Sequence, residues 1–412
     1  MKATLRILVY EHVSGGGFAD EAISASVLSE GFGMLRTLAA DFKAAGHHVT
    51  TMLDARIARL NPPIPADCVV PVFSCQETRA NLRKLSEQVD AAYIIAPETD
   101  SVLRSLVETV EQSGAASLNC ESGAVEKVSG KGGVYEFMRK LGLPAPKTLT
   151  FAVTDNVKEI VKGVRGGLGF PVVFKPFDGV SCGGVSVVRE EVQVAGAVAK
   201  IKVESSGKRF LVQELVEGAA TSVSLFSTGS RVVPVTLNRQ KVVIETPEAC
   251  SRYSGGSVPF AHPRRAEAFE AAEKLVGAVQ GLRGYVGVDF VLTEEAAVAV
   301  EVNPRLTTSY VGLRRVVNFN PAQTILDAVL NRKLPTQVES RGCAYFSKVE
   351  APRPTLGALQ ETYSMDEVVS PPFPVSDVPL ALVACYGGTL QEASLRFREA
   401  KKRVLDTISG GG

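Results

Sequence analysis

The stretch Gly287-Val-Asp-Phe-Val-Leu-Thr-Glu-Glu-Ala-Ala-Val-Ala-Val-Glu-Val-Asn-Pro-Arg305 decides how the chain is read. Two apolar runs flank a short polar turn, which is the pattern of a β-hairpin. With the loop centred on Glu295, Asp289 stands directly opposite Glu301, and paired residues share a face of a sheet. Asn303 lies two positions beyond Glu301 and so points the same way. Two carboxylates and an amide oxygen converge on one face. Like charges that close repel, and burial raises at least one pKa unless a cation intervenes. An all-oxygen set suits a hard ion such as Mg2+ or Mn2+, completed by phosphate oxygens and water. The plainer reading is a solvent-facing hairpin that happens to carry acids. Against it, the neighbours are almost all apolar, and Asp and Glu are rare in buried strands.

Upstream, Phe170-Pro-Val-Val-Phe-Lys175 ends an apolar run on a lysine, and a turn containing Gly179, Ser181, Gly183 and Gly184 follows. A buried ammonium needs an anionic partner. Glycines let backbone N–H groups close on phosphate oxygens. The bland alternative is a lysine that runs its stem along the surface beside an ordinary turn. A third segment, Phe210-Leu-Val-Gln213-Glu214-Leu-Val216-Glu217-Gly218, is an apolar strand entering a polar turn. Its backbone could serve a purine edge, although any edge strand looks similar.

Around these segments the chain reads as a multidomain α/β protein. Its 412 residues exceed one ordinary core, and domains of ~100–200 residues each are expected. Residues 1–120 alternate strands (Arg6–Tyr10, His48–Met52, Cys68–Phe73, Ala91–Ala96, Ala116–Leu118) with helices (Ser29–Ala45, Glu77–Gln88, Ser101–Gln112). That order predicts a mainly parallel, Rossmann-like sheet with helices on both faces. The turn Ser14–Gly17 follows the first strand, where such sheets bind ligands. Residues 121–216 and 217–334 form two further units, the second rich in antiparallel strands, and 335–412 form a C-terminal α/β extension.

Other classes fit poorly. The formal net charge is +1, so no global field favours nucleic acid or an anionic membrane. Gly31-Phe-Gly33 lacks the third glycine of a dinucleotide fingerprint, and residue 125 is valine where a P-loop ending at Gly130-Lys131 needs glycine. Seven cysteines without Cys-x-x-Cys spacing read as reduced thiols in a reducing compartment. No apolar run approaches a spanning helix. The expectation is a cytoplasmic protein.

The three segments stand in the order of the ATP-grasp superfamily, which residues 120–330 resemble. Lys131, ahead of a helix and the Gly142-Leu-Pro-Ala-Pro146 stop, resembles the first nucleotide lysine, and Lys175 the second. Gly179–Gly184 resembles the loop over the phosphates. Gln213, Glu214 and Val216 fall where the hinge meets adenine. Asp289, Glu301 and Asn303 match the magnesium ligands, with Arg305 completing E-x-N-P-R. One departure stands out. The family's ribose-binding glutamate corresponds to Ala220, and Glu217 is the candidate substitute. The histidines His12, His47, His48 and His262 match no family role. A looser resemblance, to the tyramine–glutamate ligase family of methanofuran biosynthesis, rests on Val9-Tyr-Glu-His12, Glu30-Gly31, Leu237-Asn-Arg-Gln240, Tyr253-Ser-Gly-Gly256 and Pro304-Arg-Leu-Thr-Thr308.

The resemblance implies a ligase that uses ATP and Mg2+ (or Mn2+) to join a small carboxylate and an amine through an acyl phosphate. Glutamate and tyramine or tyrosine are the implied substrates. Arg305 and Lys175 take the catalytic roles, and Arg239 or Arg252 could fork onto the substrate carboxylate. The loop Glu11–Gly17 would face the acceptor. Neither a nucleic-acid nor a membrane partner is implied, and a homodimer is compatible with the chain. Rivals are another amino-acid or dipeptide ligase, a biotin-dependent carboxylase lacking its own Met-Lys-Met acceptor, and an ATP-binding regulator without turnover.

Overall fold

This computed structural model describes residues 4–177 and 182–410, the side chains of 131–133 excepted. The first sheet has five parallel strands, in the order Cys68–Val72, His48–Asp54, Arg6–Glu11, Ala91–Ile95, Ala116–Ser117. The strand order turns back between Arg6–Glu11 and Ala91–Ile95, where Glu11 pairs with Ile95. Such a crevice, off the carboxyl ends of two strands, is where open α/β sheets take ligands. The helix Ala25–Ala44 packs on this sheet with Leu28, Phe32, Leu35, Leu38 and Phe42 buried. It begins four residues before the expected Ser29, because Leu28 already belongs to the buried stripe.

The second sheet is antiparallel and four-stranded, in the order Thr148–Ala152, Arg209–Glu214, Val172–Pro176, Ser186–Val188. The helices Val157–Gly167 and Val194–Glu204 supply Ile160, Val164, Val198 and Ile201 to its core. Phe210 stacks between Phe151 and Phe174, at 5.8 and 5.6 Å.

The third sheet is antiparallel and eight-stranded, in the order Ala297–Asn303, Arg283–Leu292, Ala219–Thr228, Val232–Val243, Arg252–Val258, Cys343–Glu350, Leu380–Gly387, Val368–Ser370. The last three strands come from the C-terminal extension. They join through Gly256 opposite Phe346 and Ser257 opposite Tyr345. On one face, the helix Arg265–Gly277 buries Ala268, Ala271, Ala272 and Leu275. Asn320 caps the helix Pro321–Leu330, its side chain accepting from the Gln323 amide at 3.0 Å. Among the described residues no helix is long and apolar enough to cross a membrane.

Buried ion pairs tie the first sheet's helix to the later chain. Asp41, 7 % exposed, accepts from Arg314 Nε at 2.9 Å and from Arg314 Nη2. It also accepts from the Tyr310 hydroxyl at 2.8 Å. Removing one partner of a buried pair strands the other charge, which costs roughly 3–5 kcal/mol. Asp41→Ala is therefore expected to lower urea-denaturation stability by about that amount. The double change Asp41→Leu with Arg314→Met should recover most of the loss.

Candidate active site

The acid-bearing hairpin reaches its geometry through a bulge. Near the turn, Leu292 pairs with Ala297, Val291 with Val298 and Phe290 with Ala299. Continued, that register would set Asp289 against Val300 and turn Glu301 to the other face, since a one-residue slip flips every side chain. The register shifts after Phe290 instead, so Asp289 meets Glu301 and Gly287 meets Asn303. The loop is centred half a residue earlier than Glu295, and one extra residue, Val300, restores the opposition. Bulges leave backbone groups unpaired. Here the Val300 carbonyl accepts from the Tyr135 hydroxyl at 2.7 Å, and the Ala299 amide donates to the Pro144 carbonyl at 2.8 Å.

Tyr135 lies in the helix Lys131–Lys140. Its hydroxyl also receives a hydrogen bond from Lys175 Nζ, whose ammonium sits 4.9 Å from the ring centroid. Lys175, the last residue but one of the strand Val172–Pro176, is almost fully buried. Burial lowers its pKa to about 8, against the pull of Glu301 and Asp289. Burial raises the Asp289 carboxyl to about 7, and the facing Glu301 charge adds to the rise. Hydrogen bonds from Asn303 and Gln240 and the Arg305 charge oppose it. Gln240 Nε2 donates to Asp289 Oδ1 at 3.1 Å.

Arg305 carries the cluster toward the first sheet. Its Nη2 donates to Glu98 at 2.9 Å and its Nη1 to the Leu306 carbonyl at 3.1 Å. Across the same cavity, Glu30 accepts from Lys348 and, at 2.6 Å, from the Thr308 hydroxyl. The cavity holds about 350 Å³. One end is walled by Glu214, Leu215, Val216 and Pro146, and the other by Glu11, Val13 and the Ile95–Glu98 crevice. Lys175, Asp289, Glu301, Asn303 and Arg305 all line it.

An ATP-grasp domain model matches residues 128–309, and a pre-ATP-grasp domain model matches 47–125. The chain is 29 % identical over 337 residues to the tyramine–L-glutamate ligase of Methanocaldococcus fervens, spanning 81 % of this chain and 98 % of that one. The chain is an ATP-grasp carboxylate–amine ligase. Solved structures share its fold. A putative ATP-grasp superfamily protein from Archaeoglobus fulgidus superposes with TM-score 0.62 at 23 % identity, over 92 % of this chain and 99 % of that one. A biotin carboxylase–β,γ-ATP complex from Campylobacter jejuni gives 0.71 at 13 %, over 98 % and 97 %.

Not every candidate of this ATP-grasp ligase lies on the cavity. Gln213 lines it, but its amide is committed to Thr148 at 2.8 Å and lies 3.4 Å from the Tyr135 hydroxyl. The Glu214 carboxylate accepts from the Lys147 amide at 2.9 Å. Glu217 is exposed and off the wall. Gly183 and Gly184 flank it, and the Gly184 amide is spent on Glu204 at 2.6 Å. Lys131 heads its helix; its side chain, like Gly179 and Ser181, lies outside the described residues. Arg239 faces away from Asp289, over Phe260 at 5.4 Å, and Arg252 is exposed beside Glu245. Gln240, Glu98 and Glu30 line the cavity and Tyr135 stands behind Lys175; the sequence reading gave Glu30 and Gln240 no role and passed over Tyr135 and Glu98. The alternation Leu237-Asn-Arg-Gln240 was the available signal for Gln240.

Among the described residues no three His, Cys, Asp or Glu side chains gather as a metal cage. Two acids and an amide instead suit an Mg2+-type ion that takes its remaining ligands from phosphates and water. The half-buried, mutually repelling acid pair fits such a cation.

Two outcomes follow from this geometry. A raised carboxyl pKa penalises the ionised form in the folded state, so the cost grows as pH rises from the ordinary carboxylate range toward 7. Asp289→Asn should raise the ligand-free unfolding free energy by roughly 1–3 kcal/mol at about pH 8. The gain should vanish near pH 4, in denaturation curves taken at both pH values. Tyr135→Phe should keep its ring packing yet cut kcat on the order of tenfold, through loss of the bonds to Val300 and Lys175. Steady-state kinetics beside a melting curve checks this.

Proposed function

We propose that this ligase couples the γ-carboxylate of glutamate to tyramine or tyrosine through an acyl phosphate, in methanofuran-type cofactor biosynthesis. The observation that carries the chemistry is the meeting of Lys175, Asp289, Glu301, Asn303 and Arg305 on one cavity wall. Similarity along nearly the whole of the Methanocaldococcus fervens ligase supports the substrates.

In this reading the backbone of Glu214–Val216 would receive adenine and Lys175 the phosphates, with Gly183 and Gly184 beside them; Lys131, Gly179 and Ser181 are further phosphate candidates from the sequence. Asp289, Glu301 and Asn303 would hold Mg2+ or Mn2+, which would supply charge to screen the phosphate oxygens from an incoming carboxylate. A carboxylate oxygen attacks the γ-phosphorus in line, and the bond to the bridging oxygen breaks with its electron pair leaving on ADP. Positioning and charge neutralisation are the main requirements. Arg305 faces the transferring phosphoryl group, and Glu98 fixes its guanidinium. The amine nitrogen then attacks the acyl carbon, phosphate departs, and the amine gives up its proton.

The crevice residues Glu11, Val13 and Ile95–Glu98 would receive the acceptor, an amine with an apolar body. The Glu11 carboxylate is held by the Val13 and Ser14 amides at 3.0 and 2.7 Å. Seven unpaired cysteines suit a reducing compartment, and we place the reaction in the cytoplasm.

A phosphate-release assay with glutamate and a panel of amines tests the assignment. Release is expected to require glutamate together with tyramine or tyrosine. Release without any amine, or with amines at random, would sink the substrate assignment. Glu301→Gln should lower the rate by at least ~100-fold, and Lys175→Ala should weaken ATP binding.

A further inference from the structure

We infer that Gln240 holds the sugar of the nucleotide, its amide oxygen accepting a hydrogen bond from a ribose hydroxyl. The inference rests on the cavity being the ATP site.

A nucleotide with its base at Glu214–Val216 and its phosphates at Lys175 and Asp289 must lay its sugar on the sheet between them. Register identifies that patch. Ala220 pairs with Val291, and Ser222 with Asp289. On the next strand, Thr221 pairs with Arg239 and Ser222 with Asn238. One step along the two strands come Ala220 and Gln240. Ala220, Gln240 and Val291 all line the cavity. Ala220 and Val291 offer the sugar only hydrocarbon, so Gln240 is the polar group of this patch.

The side chain is also set for the task. From its strand, Gln240 reaches across the strand Ala219–Thr228 to Asp289. Strands two apart are separated by ~9–10 Å, and the crossing passes over the small side chains of Ala220 and Ser222. A long side chain at position 220 would block it. The amide is oriented with Nε2 donating to Asp289 Oδ1 at 3.1 Å. Oε1 is left as an acceptor, and a sugar hydroxyl is a donor. An amide suits this place better than a carboxylate, because a third anion here would face Asp289 and Glu301. Glu217, the sequence candidate for the same role, is exposed away from the cavity.

Calorimetric titration of ADP, 2′-deoxy-ADP and 3′-deoxy-ADP decides the matter. Measured in EDTA, it excludes any effect carried through a metal on Asp289. The wild-type protein should prefer ADP over at least one deoxy analogue by several-fold, up to about tenfold. Gln240→Leu should collapse that preference to about one and weaken ADP by the same factor. Should Gln240→Leu fail to fold, Gln240→Asn keeps the amide but is too short to reach, and gives the same readout. A preference that survives either change overturns the role of Gln240, as does a wild type indifferent to the sugar hydroxyls. Loss of all nucleotide binding by the wild type, with and without magnesium, would overturn the ATP-site reading and Gln240 with it.

Discussion

Two carboxylates facing each other across paired strands oppose folding, and most of the site can be understood as what holds Asp289 against Glu301 all the same. Regular pairing from the Thr293 turn would have kept them on opposite faces. The bulge at Val300 brings them together, and its unpaired carbonyl is satisfied by the Tyr135 hydroxyl. That hydroxyl also takes the Lys175 ammonium. A single phenol thus couples the register of the acids to the position of the lysine that offsets their charge. The raised carboxyl and the lowered ammonium show that the offset is incomplete without a ligand. A cation and a triphosphate would each relieve one of the two imbalances, so binding of either favours the other.

The larger architecture brings this hairpin against the crevice of a different sheet. The parallel sheet turns back between Arg6–Glu11 and Ala91–Ile95, so Glu11 and the segment Ile95–Glu98 open toward Arg305. None of the three sheets builds the cavity alone. The antiparallel sheet supplies Asp289, Glu301, Asn303 and Gln240, the four-stranded sheet supplies Lys175 and the hinge backbone, and the parallel sheet supplies the far wall.

What could be read from the sequence tracks the range of the interactions involved. Asp289 and Glu301 were legible because their pairing is local, within one hairpin of alternating apolar residues. Lys175 was legible because a lysine closing an apolar strand is anomalous. Tyr135 was not, because an aromatic residue in an amphipathic helix looks like core, and nothing local shows that its hydroxyl meets Val300, 165 residues away. Gln240 was hidden for a related reason: it acts sideways across an intervening strand. The tail was read only as an α/β extension, and Cys343–Glu350 and Leu380–Gly387 are its two long strands. Their joining the sheet of the hairpin depends on Gly256 meeting Phe346, a contact no local pattern encodes. Glu217 misled because strand-to-turn position specifies backbone placement better than side-chain direction.

Three charges of the cavity wall, Glu30, Glu98 and Arg305, are held in ion pairs distant in sequence. Glu98 meets Arg305, Glu30 meets Lys348, and behind them Asp41 meets Arg314. In each pair the acid comes from the first hundred residues and the base from beyond residue 300. Buried pairs of this kind add little net stability, since desolvation consumes most of the attraction, and breaking one is far more costly than never having built it. Their effect is better seen as selection among arrangements. A packing that misplaced the first sheet by one helical turn would strand several buried charges together. The same contacts keep Glu30 and Arg305 compensated, so they line the cavity without a net field of their own. Burial still shifts Asp289 and Lys175, which lie where phosphates and their counter-ion would bind. The fold in this way leaves electrostatic frustration where a ligand can resolve it.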